Sequence, residues 1–289
     1  MKEKGNKRKN LSALIMCGPV SFWMILLVAV PFLYIFVISF MKPGTYGGVE
    51  LGFTLDNFRQ SLDISTLKVY LDSFLIALET TVICLMIAYP FAYFVAQKTA
   101  IGKTIFMALV MVPFMVNSMI RLFSWINLLR KEGIINQFLI SIGLIKEPLQ
   151  MVYNRTGSII GLVYTLLPFM ILPLYSSIEK MDRSLLEACS DLGAKPLEAF
   201  IRVTLPLTAP GIFAGAIMVF IPALGLFFVT DLMGGSKVMV LGSLIRNDFI
   251  TAKNWPLGSA LSVLLIILTL LMVYIYKKKG GDLNALGGA

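Results

Sequence analysis

Six apolar runs divide the sequence, at about residues 11–40, 73–97, 104–129, 157–178, 211–231 and 257–276, and each reaches the roughly 20 residues that a helix needs to cross a bilayer. With 57% hydrophobic and 14% charged residues, a chain of 289 residues is far too apolar for a soluble globule. The fold expected is an all-α membrane protein with six transmembrane helices. A net charge of +9 suggests nucleic acid only until the positions are read: the positives cluster at the ends and between the runs, where anionic lipid headgroups lie. The partner implied is membrane lipid, and no nucleic acid. Cys17, Cys84 and Cys189 are too scattered for a disulfide framework or a zinc spacing, and histidine is absent, so no catalytic and no metal-ligating residue is assigned.

Six runs place both termini on one side. Lys2, Lys4, Lys7, Arg8 and Lys9 precede the first run, which is long for a signal-peptide core and lacks a small-residue cleavage site, so it reads as a retained span. Lys277, Lys278 and Lys279 follow the last run. Fourteen Lys and Arg then fall inside and ten outside, with Arg121 within a run, and the inner ones are denser because the outer loops are longer. Residues 1–10 are a cytoplasmic basic tail, 11–277 the membrane domain and 278–289 a second cytoplasmic tail.

The outer loop 41–72 holds a helix start at Leu55-Asp56-Asn57-Phe58, with Asp56 as cap. In the next outer loop Ile134, Ile135, Phe138, Leu139 and Ile142 share one helical face, ended by Gly143 and Pro148, and suit a membrane surface or a partner. Pro90, Pro113, Pro168, Pro173 and Pro222 lie inside runs and free carbonyls that must find partners or line a wet cavity. Gly102-Lys103-Thr104 resembles the end of a phosphate-binding loop, but Gln97 stands where its first glycine belongs. ATP, if used, binds another chain.

The long polar interruption, 182–210, reads as a helix–turn–helix. Ser184 and Glu187 form a candidate capping box, and Leu185, Leu186, Cys189 and Leu192 share a face opposite Glu187, Ser190 and Asp191. Gly193 supplies a left-handed turn, Pro196 opens the second helix, and Leu205-Pro206 is expected to stop it.

Within this stretch Glu187-Ala188-Cys189, three residues, Gly193, nine residues and Val203-Thr204-Leu205-Pro206 resemble the EAA loop of ABC importer permeases, with Cys189 in place of alanine and Val203 in place of isoleucine. The resemblance implies the MetI-like, type I importer fold, with Ser184–Leu192 as a coupling helix that docks on a cytoplasmic ATPase dimer. Ser184, Glu187, Ala188, Asp191, Gly193, Leu205 and Pro206 are the coupling residues it implies. FTLDNF (53–58), NSMIRLFSWINLL (117–129), GLVYTLLPFMILPLYSSIEKMDRSLLEACSDLGA (161–194), GLFFVTDLMGGSK (225–237) and NWPLGSA (254–260) are similar to permeases of the spermidine/putrescine importers. This implies a non-enzymatic permease of the bacterial inner membrane, with a second related permease, an extracytoplasmic polyamine-binding protein, and ATP and Mg held by the ATPase rather than by this chain.

A polyamine leaves water only where carboxylates, carbonyls and aromatic faces replace its hydration. The candidates are Asp231 at the outer end of the fifth run, Glu79 in the second, and the rings of Trp125, Tyr164, Phe227 and Phe228. Glu79 has a second reading, as the ion-pair partner of Arg121, and each ring has a second reading as ordinary packing. Three alternatives stay open: a permease of the same class for sulfate, molybdate or iron, a carrier driven by an ion gradient, and, least favoured, a membrane enzyme.

Overall fold

A computed structural model of the chain describes residues 18–182, 184–235 and 237–278. The basic tail at 1–10, Arg183 and residues 279–289 of the second tail lie outside the described residues. Among the described residues five helices are long and apolar enough to span: α1 (Gly18–Ile38), α3 (Ile64–Ala96), α7 (Arg155–Glu179), α9 (Pro196–Gly225) and α12 (Trp255–Lys278). Among those residues a sixth span exists only if a bent pair is counted, α4 (Ala100–Met115) with the helical segment Ser118–Ser141, which ends in α6 (Ile134–Ser141); the pair turns by 96°. The expected straight run over 104–129 is therefore broken. The cause is local: Val116 is extended, and the Asn117 side chain accepts the Met119 N–H at 2.9 Å to start α5 (Ser118–Leu129) afresh.

The described chain divides into two compact units. One takes its described residues from Met1–Thr66 and Ile245–Ile266. Here α1 is followed by a two-stranded hairpin, β1 (Met41–Pro43) and β2 (Val49–Phe53), in a loop where apolar periodicity signals no strand. Gly47 and Gly48 take positive φ at its turn, and the Gly48 N–H donates to the Lys253 carbonyl at 2.9 Å. Phe40 stacks on Phe53 with ring centres 5.7 Å apart and meets Phe58 at a tilt with ring centres 5.0 Å apart. The buried Asn57 amide donates to the Ser39 and Met41 carbonyls at 2.9 and 2.8 Å. Asn57 lies in α2 (Asp56–Ser61), whose cap is Leu55; Asp56 is its first helical residue rather than its cap.

Asp248, on α11 (Leu241–Ile250), is 8% exposed, and its Oδ2 has no hydrogen-bond partner among the described residues. Burial pushes its carboxyl up to about 6. Because the folded value lies above the unfolded one of about 3.9, this group's contribution to stability is complete below about pH 4 and is lost as the pH rises through 6. Asp248→Asn is expected to raise the melting temperature above pH 6, by on the order of 1–2 kcal/mol of stability, and to leave it unchanged near pH 4. Thermal melts of the purified protein at the two pH values check this; equal effects at both would contradict it.

The second unit takes its described residues from Leu67–Leu244 and Ile267–Ala289, and its core is α7 packed on α9. Small residues allow the approach. A Cβ on Gly211 would lie 2.5 Å from Ser177 Cβ and 2.8 Å from the Pro173 oxygen, and one on Gly215 would lie 2.7 Å from Met170 Sδ. On the same helix α7, Gly157 and Gly161 receive Met233 and Val229 of α10 (Phe227–Gly234). α3 joins this core through a Tyr89–Thr208 hydroxyl pair at 2.9 Å and through Ser73, which accepts the Leu241 N–H at 2.9 Å.

Two corrections concern α9. The expected stop at Leu205-Pro206 does not occur: the helix runs from Pro196 to Gly225. A π turn over Phe200–Thr204 precedes the proline, and the Leu205 N–H reaches back to the Phe200 carbonyl. The widened turn makes room for the Pro206 ring, and its missing N–H falls where the bonding pattern already shifts. The same device recurs in α1, where a π turn at Ile25–Ala29 ends two residues before Pro31. At its other end α9 stops at Gly225, earlier than expected, because Leu226 leaves helical geometry with ψ 61°. Asp231 is consequently not at the end of a span but on the separate short helix α10.

Candidate functional site

The described residues of the 182–210 helix–turn–helix form as the local signals require, with one change of cap and without the expected stop at Leu205-Pro206. α8 (Ser184–Asp191) begins at Ser184, whose N–H donates to Asp182 Oδ1 at 3.0 Å, so Asp182 does the work assigned to Ser184. That bond holds the Asp182 carboxyl below its usual range. The turn is a Schellman motif: the Gly193 N–H donates to the Ser190 carbonyl at 2.9 Å and the Ala194 N–H to the Cys189 carbonyl at 3.0 Å, with Gly193 at φ +80°. Pro196 opens α9, where the Glu198 carboxylate accepts the Lys195 N–H at 3.2 Å.

What this hairpin exposes matters for its use. Ser184, Glu187, Ala188, Asp191 and Gly193 are all exposed, and so are Leu192 and Leu197, at 88% and 69%. Leu186 and Glu187 also border an open cleft of about 320 Å³ with Tyr93, Gln97, Ile178 and Met181, at the ends of α3 and α7. Nearby, Lys103 pairs with Glu179 at 3.1 Å, tying α4 to α7. The lysine of the incomplete phosphate-loop pattern thus sits within a helix as an ion-pair partner.

The proposed pathway residues divide into three places. Asp231 is half-buried and accepts the Ser243 hydroxyl at 3.1 Å. Val229 and Met233 press on α7, so helical geometry turns Asp231 to the opposite side of α10, with Phe227 and Phe228 one turn before it on that side. Glu79 pairs with Arg155 and not with Arg121: Nη2 is 2.7 Å from Oε1 and Nε 3.3 Å from Oε2. Arg155 is the first residue of α7, next to Asn154, whose side chain caps the helix by accepting the Gly157 N–H at 2.8 Å. Seventy-six positions separate Glu79 and Arg155, and no local pattern in sequence links them.

Trp125 and Tyr164 do come together, with ring centres 5.2 Å apart, and Tyr164 also faces a residue not foreseen there. The Arg121 guanidinium carbon lies 4.3 Å from the centre of the Phe114 ring and 5.6 Å from that of Tyr164. Its Nε and Nη1 are buried without a hydrogen-bond partner among the described residues. Each ring contributes about 0.5–2 kcal/mol to holding a cation. Each unpaired buried donor costs about 1–3 kcal/mol, and more when charged. With two rings and two such donors the cost at least matches the gain, so the arginine is held weakly. The signal legible in sequence was the spacing Arg121–Trp125, four residues apart on one helical face.

A helical membrane protein with a paired-helix projection between its long spans and a loop of EAA type defines a transport permease rather than an enzyme. Residues 88–278 match the model of the binding-protein-dependent transport system inner membrane component family, and the chain belongs to that family. Among curated relatives, the spermidine/putrescine transport system permease protein PotB of Escherichia coli (strain K12) is 44% identical over 262 residues, 91% of this chain and 95% of the relative. PotB of Haemophilus influenzae is 39% identical over 98% of each chain. The inner membrane ABC transporter permease protein YdcU of Escherichia coli (strain K12) is 32% identical over 78% of this chain and 76% of its own length. Among solved structures, a bacterial ABC transporter involved in the import of the acidic polysaccharide alginate aligns with a TM-score of 0.70 at 15% identity, covering 96% of this chain and 99% of that one. The MetNI methionine ABC transporter aligns with a TM-score of 0.53 at 17% identity, covering 73% and 93%. These structural likenesses establish the importer-permease fold.

Proposed function

We propose that this chain is one half of the transmembrane pathway of an ATP-driven polyamine importer, carrying spermidine or putrescine. The observation that carries the substrate is the 44% identity to a spermidine/putrescine permease over 91% of the chain, which extends far beyond the EAA loop. A second, related permease completes the pathway, an extracytoplasmic binding protein delivers the polyamine, and a cytoplasmic ATPase dimer holds ATP and Mg. Both termini face the cytoplasm, and so does the 182–210 hairpin. Closure of the ATPase pair on ATP moves α8 as a rigid body, and α9, continuous with the hairpin through Leu205 and Pro206, carries that motion into the membrane. The unbroken α9 supports this coupling because a stop at Pro206 would have left a joint between the hairpin and the span.

Asp231, with Phe227 and Phe228 beside it, is the cation contact in this reading. Asp231→Asn is expected to raise the KM for spermidine about fivefold to tenfold, the effect of losing a charge-assisted contact of ~1–1.4 kcal/mol, without loss of assembly. Unchanged uptake at low polyamine concentration would remove Asp231 from the pathway. The substrate class is tested by ATPase stimulation of the purified assembly with loaded binding protein, using spermidine, putrescine, sulfate, molybdate and iron. Stimulation by polyamines alone is expected; stimulation by an anion or by iron instead would overturn the assignment.

A further inference from the structure

We infer that the rings of Phe114, Trp125 and Tyr164 form a site for an alkylammonium group, and that Arg121 is a tethered cation occupying this site when no substrate is present. The inference rests on the polyamine reading and names where that cargo meets this chain and what it displaces.

Three elements build the box. Phe114 lies in the last turn of α4, Arg121 and Trp125 lie one turn apart on α5, and Tyr164 comes from α7. The rings of Phe114 and Tyr164 are stacked, with centres 6.4 Å apart, and Trp125 tilts against Tyr164. All four residues are half-buried, so the box is neither sealed in the core nor open on the surface. The guanidinium carbon 4.3 Å from the Phe114 ring centre and 5.6 Å from that of Tyr164 shows that these two rings already hold a cation, with Trp125 backing Tyr164.

Arg121 differs from a structural anchor in one respect. Anchoring arginines satisfy their N–H groups, usually in pairs against a carboxylate, as Arg155 does against Glu79 at 2.7 and 3.3 Å. Among the described residues Arg121 lies over ring faces, and its buried Nε and Nη1 have no acceptor there. Because the unpaired donors cost at least as much as the rings return, a competing cation can replace it. An ammonium group is compact and needs only the faces, and two like charges cannot share the box. Arg121 also sits just beyond the break at Val116-Asn117, where the chain turns by 96°, so its departure frees α5 next to a ready hinge. Arrival of cargo thus exchanges one cation for another at a bend in the pathway.

The test uses the complete assembly in lipid nanodiscs, without its binding protein, and measures equilibrium binding of radiolabelled spermidine. Arg121→Gln empties the box and is expected to tighten binding about tenfold, whereas Arg121→Lys keeps a tethered cation and stays within about twofold of the parent. Adding Tyr164→Leu to Arg121→Gln is expected to abolish the gain. Unchanged or weaker binding in an assembled Arg121→Gln variant would overturn the inference, as would a gain that survives Tyr164→Leu. Failure of both Arg121→Gln and Arg121→Lys to assemble would do so too, since Arg121 would then hold the fold. ATP-driven spermidine uptake by the parent assembly is read in parallel. Uptake without a binding change in Arg121→Gln removes the box alone, and a binding change without parental uptake removes the polyamine reading alone.

Discussion

Gly193→Pro is expected to cut ATP-driven uptake by on the order of a hundredfold while the chain still inserts in the membrane, because proline in this position costs about 3 kcal/mol or more. The residue sits at φ +80°, whereas proline is held near −65°. It also donates its N–H to Ser190, which proline lacks. Both bonds of the Schellman turn depend on that conformation, so α8 loses its angle to α9 and Glu187 and Asp191 lose their presentation. Gly193→Ala is a graded control: a Cβ there meets nothing within 4 Å, so only the backbone conformation is strained, at about 1 kcal/mol. Co-purification with the ATPase and uptake should fall together in the order glycine, alanine, proline. Full coupling in the proline variant would remove the hairpin from the coupling role.

The second large effect concerns the membrane core. Gly211→Leu is expected to destabilise the α7–α9 packing by about 3 kcal/mol or more and to yield no assembled protein, since overpacking alone commonly costs about 1–3 kcal/mol for smaller additions. Even the first added carbon would meet Ser177 Cβ at 2.5 Å and the Pro173 oxygen at 2.8 Å. One neighbour is backbone, which cannot swing aside. Pairing it with Ser177→Gly relieves the first contact and not the second, so partial recovery at most is expected in size-exclusion profiles of the solubilised chain. A monodisperse Gly211→Leu protein with wild-type thermal stability would contradict the packing described here.

Much of this was legible in sequence because its causes are local. Runs of about 20 apolar residues specify spans, and a glycine after an amphipathic turn specifies a left-handed cap, which is why Gly193 and the 182–210 hairpin were readable. The failures have local causes that apolar continuity hid. Asn117-Ser118 is a helix-start signal inside the run 104–129, and it produces the 96° bend. Leu205-Pro206 reads as a stop, but the π turn before it lets α9 continue. The partner of Glu79 was not readable at all, and of the cluster around Arg121 only Trp125, one turn away on the same helix, was. Arg155 and Phe114 reach them through the packing of α3, α4, α5 and α7, which no periodicity encodes. Asp231 remained recognisable as a polar residue in an apolar stretch, while its place on a separate helix depended on one backbone angle at Leu226.

The central claim is that this chain moves polyamine only when a separate ATPase drives it through the 182–210 hairpin. Uptake of radiolabelled spermidine should therefore be measured in proteoliposomes holding the permease pair, with and without the ATPase chain, in the presence of loaded binding protein and of ATP with Mg on the ATPase side. The account predicts accumulation with the ATPase and ATP, and none when either is omitted. Accumulation by the permeases alone, driven by an ion gradient, would contradict it.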